Sequence, residues 1–95
     1  ITGGGFIENI PRALPDGLGV VINEASLPKL PIFALLERLG NIPKAEMFNV
    51  FNMGIGMVII AAPENQEMII SHLEKFDYRP RVIGKVIKQL GVQIQ

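Results

Sequence analysis

Apolar residues recur along the chain in short blocks whose spacing alternates between helical and extended patterns. Phe6, Ile7 and Ile10 lie at helical spacing, and Pro11 predicts that this helix ends within two turns. The β-branched run over 19–23 predicts a short buried strand. The first quarter of the chain is therefore predicted to be a short helix followed by a strand.

The middle of the chain predicts two further helices. Pro31 suits a first helical position, and the apolar stripe that follows it ends at Gly40, a natural C-terminal cap. A shorter helix is predicted to start at 41–43 and to carry three apolar side chains on one face. These three side chains are Met47, Phe48 and Phe51.

The last third predicts a strand, a helix and a strand. Met57–Ala62 is predicted to be a fully buried strand, and Pro63 to open a helix over 64–76. The predicted core face of that helix consists of Ile69, Leu73 and Phe76. The partly alternating residues 81–88 predict a final strand that ends near Gly91.

This order of elements predicts an α+β fold, a small mixed β-sheet with helices packed mainly on one face. Ninety-five residues suffice for a single domain and not for two cores. Three strands make a thin sheet, and we expect further strands from a missing N-terminal part or from another copy of the chain. We therefore interpret residues 1–95 as one partial domain that self-associates in isolation.

Composition narrows the functional classes. Hydrophobic residues make up 48% of the chain and charged residues 19%, with a formal net charge of zero. No basic face for nucleic acid is predicted, because the one local enrichment suits a solvated strand face. That enrichment consists of Arg79, Arg81, Lys85 and Lys88. The ten-residue apolar run 53–62 is too short to span a bilayer, and with no cysteine and no signal pattern we expect a cytoplasmic location.

Candidate acid, base, nucleophile and metal-ligating residues are sparse. The single histidine, His72, is predicted to flank a helix, and the two serines have no aligned partner. The carboxylates of Glu8, Asp16, Glu24 and Glu46 are too dispersed to form a Mg²⁺ or Zn²⁺ site unaided. We therefore assign no catalytic residue and no metal ligand to this chain.

The glycine-rich segment at residues 1–5 is the best candidate for chemistry. Gly3, Gly4 and Gly5 stand directly before a predicted helix, an arrangement that can present backbone N–H groups and a positive helix end to a phosphate. A plain tight turn is the alternative. Asn9 and Arg12 favour a ligand, since an amide and a guanidinium can bind polar groups of a nucleotide, although solvation and a local turn bond also explain them.

A second candidate lies at residues 51–57, where Gly54 and Gly56 lead into the predicted strand over 57–62. The spacing indicates a close approach of the backbone to another group. The simpler interpretation is a strand entered through a β-bulge, with Met53 and Met57 as core residues.

These two segments together resemble the aminoimidazole ribonucleotide synthetase family, also called phosphoribosylformylglycinamidine cyclo-ligases. The resemblance spans nearly all of the chain, and two long motifs in the right order carry it. These motifs are 1–6 with 8–12, and 46–47 with 51–57. One departure is Asn49-Val50, where many members have Arg-Thr, so the resemblance does not place a phosphate-gripping arginine there.

The resemblance implies a purine-biosynthesis enzyme that uses ATP and Mg²⁺ to close the imidazole ring of formylglycinamidine ribonucleotide. It further implies a cytoplasmic homodimer whose N-terminal domain holds most ATP and metal contacts. This chain would be the latter half of the C-terminal domain and inactive alone. The resemblance implies substrate- or phosphate-binding roles for Thr2, Gly3, Gly4, Gly5, Asn9 and Arg12, with Asn52, Met53 and Gly54 as a second wall.

Two alternatives remain open on the sequence. One is a non-catalytic domain that binds a small anion or a protein partner. The other is a related ATP-dependent enzyme such as thiamine-monophosphate kinase or selenophosphate synthetase, which shares the glycine-rich feature more than these motifs.

Overall fold

The computed structural model describes residues 1–95 as four α-helices and three β-strands. In chain order they are α1 (Gly5–Arg12), β1 (Gly19–Ile22), α2 (Pro31–Gly40), α3 (Lys44–Val50), α4 (Gln66–Glu74), β2 (Gly84–Ile87) and β3 (Gly91–Ile94). Single 3₁₀ turns over Glu24–Ser26 and Pro63–Asn65 precede α2 and α4. The predicted α+β class is confirmed, and no helix has the length and apolar character needed to cross a membrane.

The three strands form one mixed sheet with β1 at its centre. β1 pairs antiparallel with β2 and parallel with β3, so that Val20 lies between Val86 and Val92. The short connection from β2 to β3 passes the start of β1. A Cβ atom on Gly19 would lie 2.0 Å from the carbonyl oxygen of Gln89, so this crossing requires glycine.

The hydrophobic core lies between α1, α3 and the sheet. Phe6 of α1 and Phe48 of α3 are fully buried, with ring centroids 6.1 Å apart. Ile10 of α1 and Ile22 of β1 complete the contact between helix and sheet. Burial of an aromatic side chain of this size contributes about 1.5–3 kcal/mol, so this aromatic pair fixes α1 and α3 against each other.

The predicted helices at 31–40 and after 41–43 are confirmed as α2 and α3. Of the three apolar residues predicted to share a face, Met47 and Phe48 are buried, while Phe51 follows the last helical residue of α3 and is half-buried. The left-handed residue that ends α2 is Asn41, with φ of 49°, and not Gly40. Asparagine adopts this conformation more readily than most residues because its short polar side chain can hydrogen-bond to nearby backbone groups.

The helix predicted over 64–76 is shorter, since α4 ends at Glu74 after a 3₁₀ turn. The prediction of its core face was wrong, because Ile69 and Leu73 are only half-buried and Phe76 is 62% exposed. The physical reason is that α4 packs mainly on its preceding turn and stands away from the sheet.

The prediction of a buried strand over 57–62 was also wrong. Met57–Ala62 contains no strand residue, and Met57 is 81% exposed. The backbone groups of Met57–Ala61 make no hydrogen bond. An apolar, β-branched sequence forms a strand only beside another strand, and no such neighbour is present.

The C-terminal strands also differ from the prediction. β2 covers only Gly84–Ile87 of the predicted 81–88, and a further strand, β3, begins at Gly91. The four basic residues of this region are exposed, as predicted, although only Lys85 lies on a strand. The guanidinium of Arg81 donates to the carbonyl oxygen of Ser26 at 3.2 Å.

Candidate functional site

The glycine loop, residues 2–5, turns directly into the first turn of α1. Gly4 precedes the helix with φ of 96°, and Gly5 is its first residue with φ of 57°. The amide of Gly5 donates to the carbonyl oxygen of Thr2 at 3.1 Å, which closes the turn. Both glycines occupy left-handed backbone conformations that other residues adopt only at a cost.

Asn9 holds this loop from one turn further along α1. Its side-chain nitrogen Nδ2 lies 3.2 Å from the carbonyl oxygen of Thr2, 3.1 Å from that of Gly3 and 2.8 Å from that of Gly5. Its Oδ1 accepts the Thr2 hydroxyl at 3.2 Å. The side-chain NH₂ group of Asn9 therefore bonds to loop carbonyl oxygens, and its direct role is to set the shape of the loop.

Backbone N–H groups at the start of α1 have no hydrogen-bond partner in the protein. The backbone nitrogens of Gly3, Gly4 and Ile7 donate to no other group of the protein, and none of these residues is buried. They lie at the positive end of the α1 dipole. The loop can therefore offer N–H groups to an anion.

A carboxylate lies beside these donors. A Cβ atom on Gly4 would lie only 2.3 Å from Oε2 of Glu8, so the Glu8 side chain folds back over the loop. From the sequence, Glu8 is only one of several dispersed carboxylates. Spacing brings residues four apart to one side of a helix, but it does not fix where the carboxylate points.

The second candidate segment forms a turn and not a β-bulge. The amide of Ile55 donates to the carbonyl oxygen of Asn52 at 3.0 Å, and Met53 and Gly54 have φ of 53° and 91°. Asn52 Oδ1 accepts the Gly54 amide at 2.8 Å. Two consecutive left-handed residues define a type I′ geometry, which is uncommon for methionine.

The structure brings the two segments together at the end of α3. A Cβ atom on Gly5 would lie 2.1 Å from the carbonyl oxygen of Phe48 and 3.0 Å from that of Phe51. The amino group of Ile1 donates to the carbonyl oxygen of Gly56. The glycine loop and the 52–55 turn are therefore neighbours, as the hypothesis of a two-walled site requires.

Arg12 lies apart from the loop. It ends α1 seven residues after Gly5, about 10 Å along the helix axis, and its side chain is exposed. It is on the same face of α1 as Asn9, three residues earlier. The candidate residues thus form a loop, an adjoining turn and a cation at the far end of one helix face.

The remaining polar groups form no second site. No group of three or more His, Cys, Asp or Glu residues could hold a metal ion. His72 is exposed on α4, with its ring 5.3 Å from that of Phe76. The one ion pair joins Lys44 to Glu24 at 2.6 Å, and its hydrogen bond and charge raise the pKa of Lys44.

Comparison with known proteins identifies the family. A family model described as "AIR synthase related protein, C-terminal domain" matches residues 1–95. The chain belongs to this family.

Several of its relatives share one name. Proteins called phosphoribosylformylglycinamidine cyclo-ligase from Exiguobacterium sp., Geobacillus thermodenitrificans and Oceanobacillus iheyensis are 51%, 51% and 53% identical to it. The alignments cover 97–99% of this chain and 27% of each relative. The family resemblance inferred from the two motifs is thereby confirmed, and the chain spans about a quarter of the length of these relatives.

Proposed function

We propose that this chain is part of a purine-biosynthesis cyclo-ligase and contributes one wall of its substrate site. The observation that carries this proposal is the junction of two motifs, in which the glycine loop held by Asn9 adjoins the turn over 52–55. The relatives named as cyclo-ligases support the reaction class. The reaction is the ATP-dependent ring closure of formylglycinamidine ribonucleotide to aminoimidazole ribonucleotide.

The residues of the wall take different roles in this proposal. Gly3 and Gly4 donate backbone N–H groups to a phosphate, and Gly5 permits the close contact of the loop with α3. Thr2 and Asn9 fix the loop carbonyls away from the anion. Phosphate is the favoured ligand because it accepts several hydrogen bonds at the positive end of a helix.

Three more residues complete the wall. Asn52 stabilises the neighbouring turn through its bond to the Gly54 amide, and Met53 offers a half-buried apolar surface beside the loop. Arg12, at the far end of α1, would reach a different part of the ligand. A nucleotide is long enough to contact both the loop and a cation about 10 Å away.

ATP and Mg²⁺ are the cofactors implied by the resemblance. The residues of this chain do not fit a Mg²⁺ site, since no cluster of carboxylates comes together. We therefore assign no step through the metal to these residues and place the ATP and Mg²⁺ contacts mainly elsewhere in the parent enzyme. We further propose that the complete enzyme is a cytoplasmic homodimer and that residues 1–95 alone have no cyclisation activity.

Enzyme assays of a longer polypeptide that contains these residues test the proposal. We expect it to convert formylglycinamidine ribonucleotide and ATP to product, and we expect Asn9→Leu to lower kcat/KM by about 5- to 150-fold. Loss of the loop-ordering hydrogen bonds costs about 1–3 kcal/mol, which sets this magnitude. Leu90→Ser is the matched control, because Leu90 is 73% exposed in the β2–β3 connection.

Three outcomes would contradict the proposal. The first is a longer polypeptide without cyclisation activity, and the second is an Asn9→Leu variant with unchanged kcat/KM. The third, turnover by residues 1–95 alone, would overturn the expectation that the isolated chain is inactive.

A further inference from the structure

Asp16 and Gly17 form the exposed corner of the turn between α1 and β1. The amide of Leu18 donates to the carbonyl oxygen of Pro15 at 3.4 Å, which is long for a backbone hydrogen bond. Gly17 has φ of 86°, whereas φ of Asp16 is not positive, and this combination is typical of a type II turn. A single weak hydrogen bond therefore closes the turn.

The polar groups of this corner have no partner in the protein. The Asp16 carboxyl group makes no hydrogen bond and no ion pair, and the Gly17 amide donates to no other group. No atom lies within 4 Å of the Cβ position on Gly17, so the space beside this residue is open. Apart from the turn hydrogen bond, nothing holds the carboxyl carbon of Asp16 away from the following amide nitrogen.

We propose that Asp16 is a site of spontaneous isomerisation to isoaspartate through a succinimide ring. The backbone nitrogen of Gly17 attacks Cγ of Asp16 and forms a bond to it, while the carboxyl hydroxyl leaves with the amide proton as water. Water then adds to the main-chain carbonyl carbon of Asp16, and the bond from this carbon to the Gly17 nitrogen breaks. The chain then continues through Cβ and Cγ, with mass and charge unchanged and with no oxidant required. This inference is independent of the proposed function.

The residue that follows Asp16 distinguishes it from the other aspartate of the chain. Only Asp16 precedes a glycine, which has no side chain next to the attacking nitrogen. Asp77 is also exposed, and the amide of Tyr78 after it is also without a partner in the protein. The Tyr78 side chain hinders ring closure, however, because it stands on the atom bonded to the attacking nitrogen. Asp77 is therefore a matched internal control. None of the asparagines precedes a glycine.

Isomerisation changes the connection between α1 and β1. Isoaspartate adds one atom to the backbone path through the turn. Leu14 before the turn packs against the core, and Val20 after it is buried in the core. Because core contacts hold the chain on both sides, the added atom must disturb the turn or those contacts. We therefore expect the isoaspartate form to unfold at a lower temperature than the unmodified chain.

Storage of residues 1–95 at neutral pH, followed by peptide mapping, tests the inference. We expect the peptide that contains Asp16 to separate with time into two species of equal mass. The new species should accept a methyl group from labelled S-adenosylmethionine in the presence of a protein isoaspartyl methyltransferase. The peptide that contains Asp77 should stay a single species. No isoaspartate at Asp16, or equal amounts at Asp16 and Asp77, would overturn the inference.

A synthetic peptide of residues 13–20 provides the reference rate and sets the time of storage. We expect the folded chain to convert within about tenfold of the rate of this peptide, because the geometry of attack requires the loss of only one weak hydrogen bond. A rate below this range would show that the fold protects Asp16 and would contradict the inference.

Two variants test the chemistry at this position. Asp16→Glu keeps the carboxylate and Gly17, but its ring closure needs a six-membered ring that forms much more slowly, so the isoaspartate signal should be lost. Gly17→Ala keeps Asp16 and adds a Cβ atom beside the nitrogen, so conversion should be slower than in the wild type. Unchanged conversion in either variant would contradict attack by the Gly17 nitrogen.

Calorimetry of the two separated forms of the wild type tests the effect on the fold. The isoaspartate form should have the lower unfolding midpoint, and Asp16→Glu stored for the same time should keep its original midpoint. Equal midpoints of the two wild-type forms would contradict a disturbed connection between α1 and β1.

Discussion

Gly5→Ala should destabilise the protein strongly, because two separate costs meet at this position. Gly5 has φ of 57°, and its Cβ atom would lie 2.1 Å from the carbonyl oxygen of Phe48. A left-handed conformation costs an alanine about 1–2 kcal/mol, and forcing a methyl group against packed backbone costs about 1–3 kcal/mol. The expected loss in the free energy of unfolding is therefore about 2–5 kcal/mol.

Two other glycines provide matched controls. Gly17 has φ of 86°, and no atom lies within 4 Å of its Cβ position. Gly17→Ala should therefore lower the free energy of unfolding only by the cost of a left-handed alanine, about 1–2 kcal/mol. Gly3 has neither a positive φ nor a neighbour within 4 Å. Gly3→Ala should therefore stay within about 0.5 kcal/mol of the wild type or be slightly stabilising.

Urea unfolding followed by circular dichroism measures the three differences. The order of destabilisation should be Gly5→Ala, then Gly17→Ala, then Gly3→Ala. If Gly5→Ala costs no more than Gly17→Ala, the close contact between the loop and α3 does not exist. The two motif segments would then not be joined through this contact.

Three further predictions concern charge and association. Glu8→Gln should tighten phosphate binding to residues 1–95 about 2- to 5-fold, because it removes a negative charge from a helix N-terminus; calorimetry should show no such gain for the control Glu67→Gln, on α4. Lys44→Met should lower the free energy of unfolding at pH 7 by about 0.2–1 kcal/mol, since the Lys44–Glu24 pair is exposed to solvent. The hydrogen bond and charge of Glu24 raise the pKa of Lys44 above 10.5, so this difference should persist from neutral pH to pH 10.5 and vanish as Lys44 deprotonates at higher pH; a constant difference in unfolding across this range and above it would contradict the ion pair. Residues 1–95 should self-associate through their uncovered apolar surface, and a monodisperse monomer in light scattering would disprove this.

Locally determined elements could be predicted from the sequence. α2 is set by Pro31 at its start and by a glycine-asparagine pair at its end, and both signals lie within the helix or beside it. β1 follows from three successive β-branched residues, of which Val20 and Ile22 are buried in the core. Such elements need little information from distant parts of the chain.

Elements that depend on distant partners could not be predicted. β3 is four residues long and pairs with β1 about 70 positions earlier, although the alternation of Val92, Gln93 and Ile94 offered a weak signal. The prediction for Met57–Ala62 failed for the opposite reason. This segment has a strong strand pattern, but no partner strand pairs with it. A strand is a property of a pair, and the pattern of one segment does not report its neighbour.

The sequence suggests the candidate residues but does not predict their arrangement. The resemblance selected Asn9, Arg12 and Asn52, but only the geometry shows that the two amides hold backbone turns and that Arg12 stands at the other end of α1. The position of the Glu8 carboxylate over Gly4 depends on a side-chain conformation that composition and spacing do not fix.

Titration of residues 1–95 with inorganic phosphate, followed by amide chemical shifts, tests the central claim most directly. We expect saturable shifts at millimolar phosphate for Gly3, Gly4 and Ile7, whose N–H groups have no partner in the protein, and the same pattern with ribose 5-phosphate. The amide of Gly17, in a distant turn, should not shift. Unchanged loop amides, or shifts no larger than that of Gly17, would contradict a phosphate-binding wall at the glycine loop.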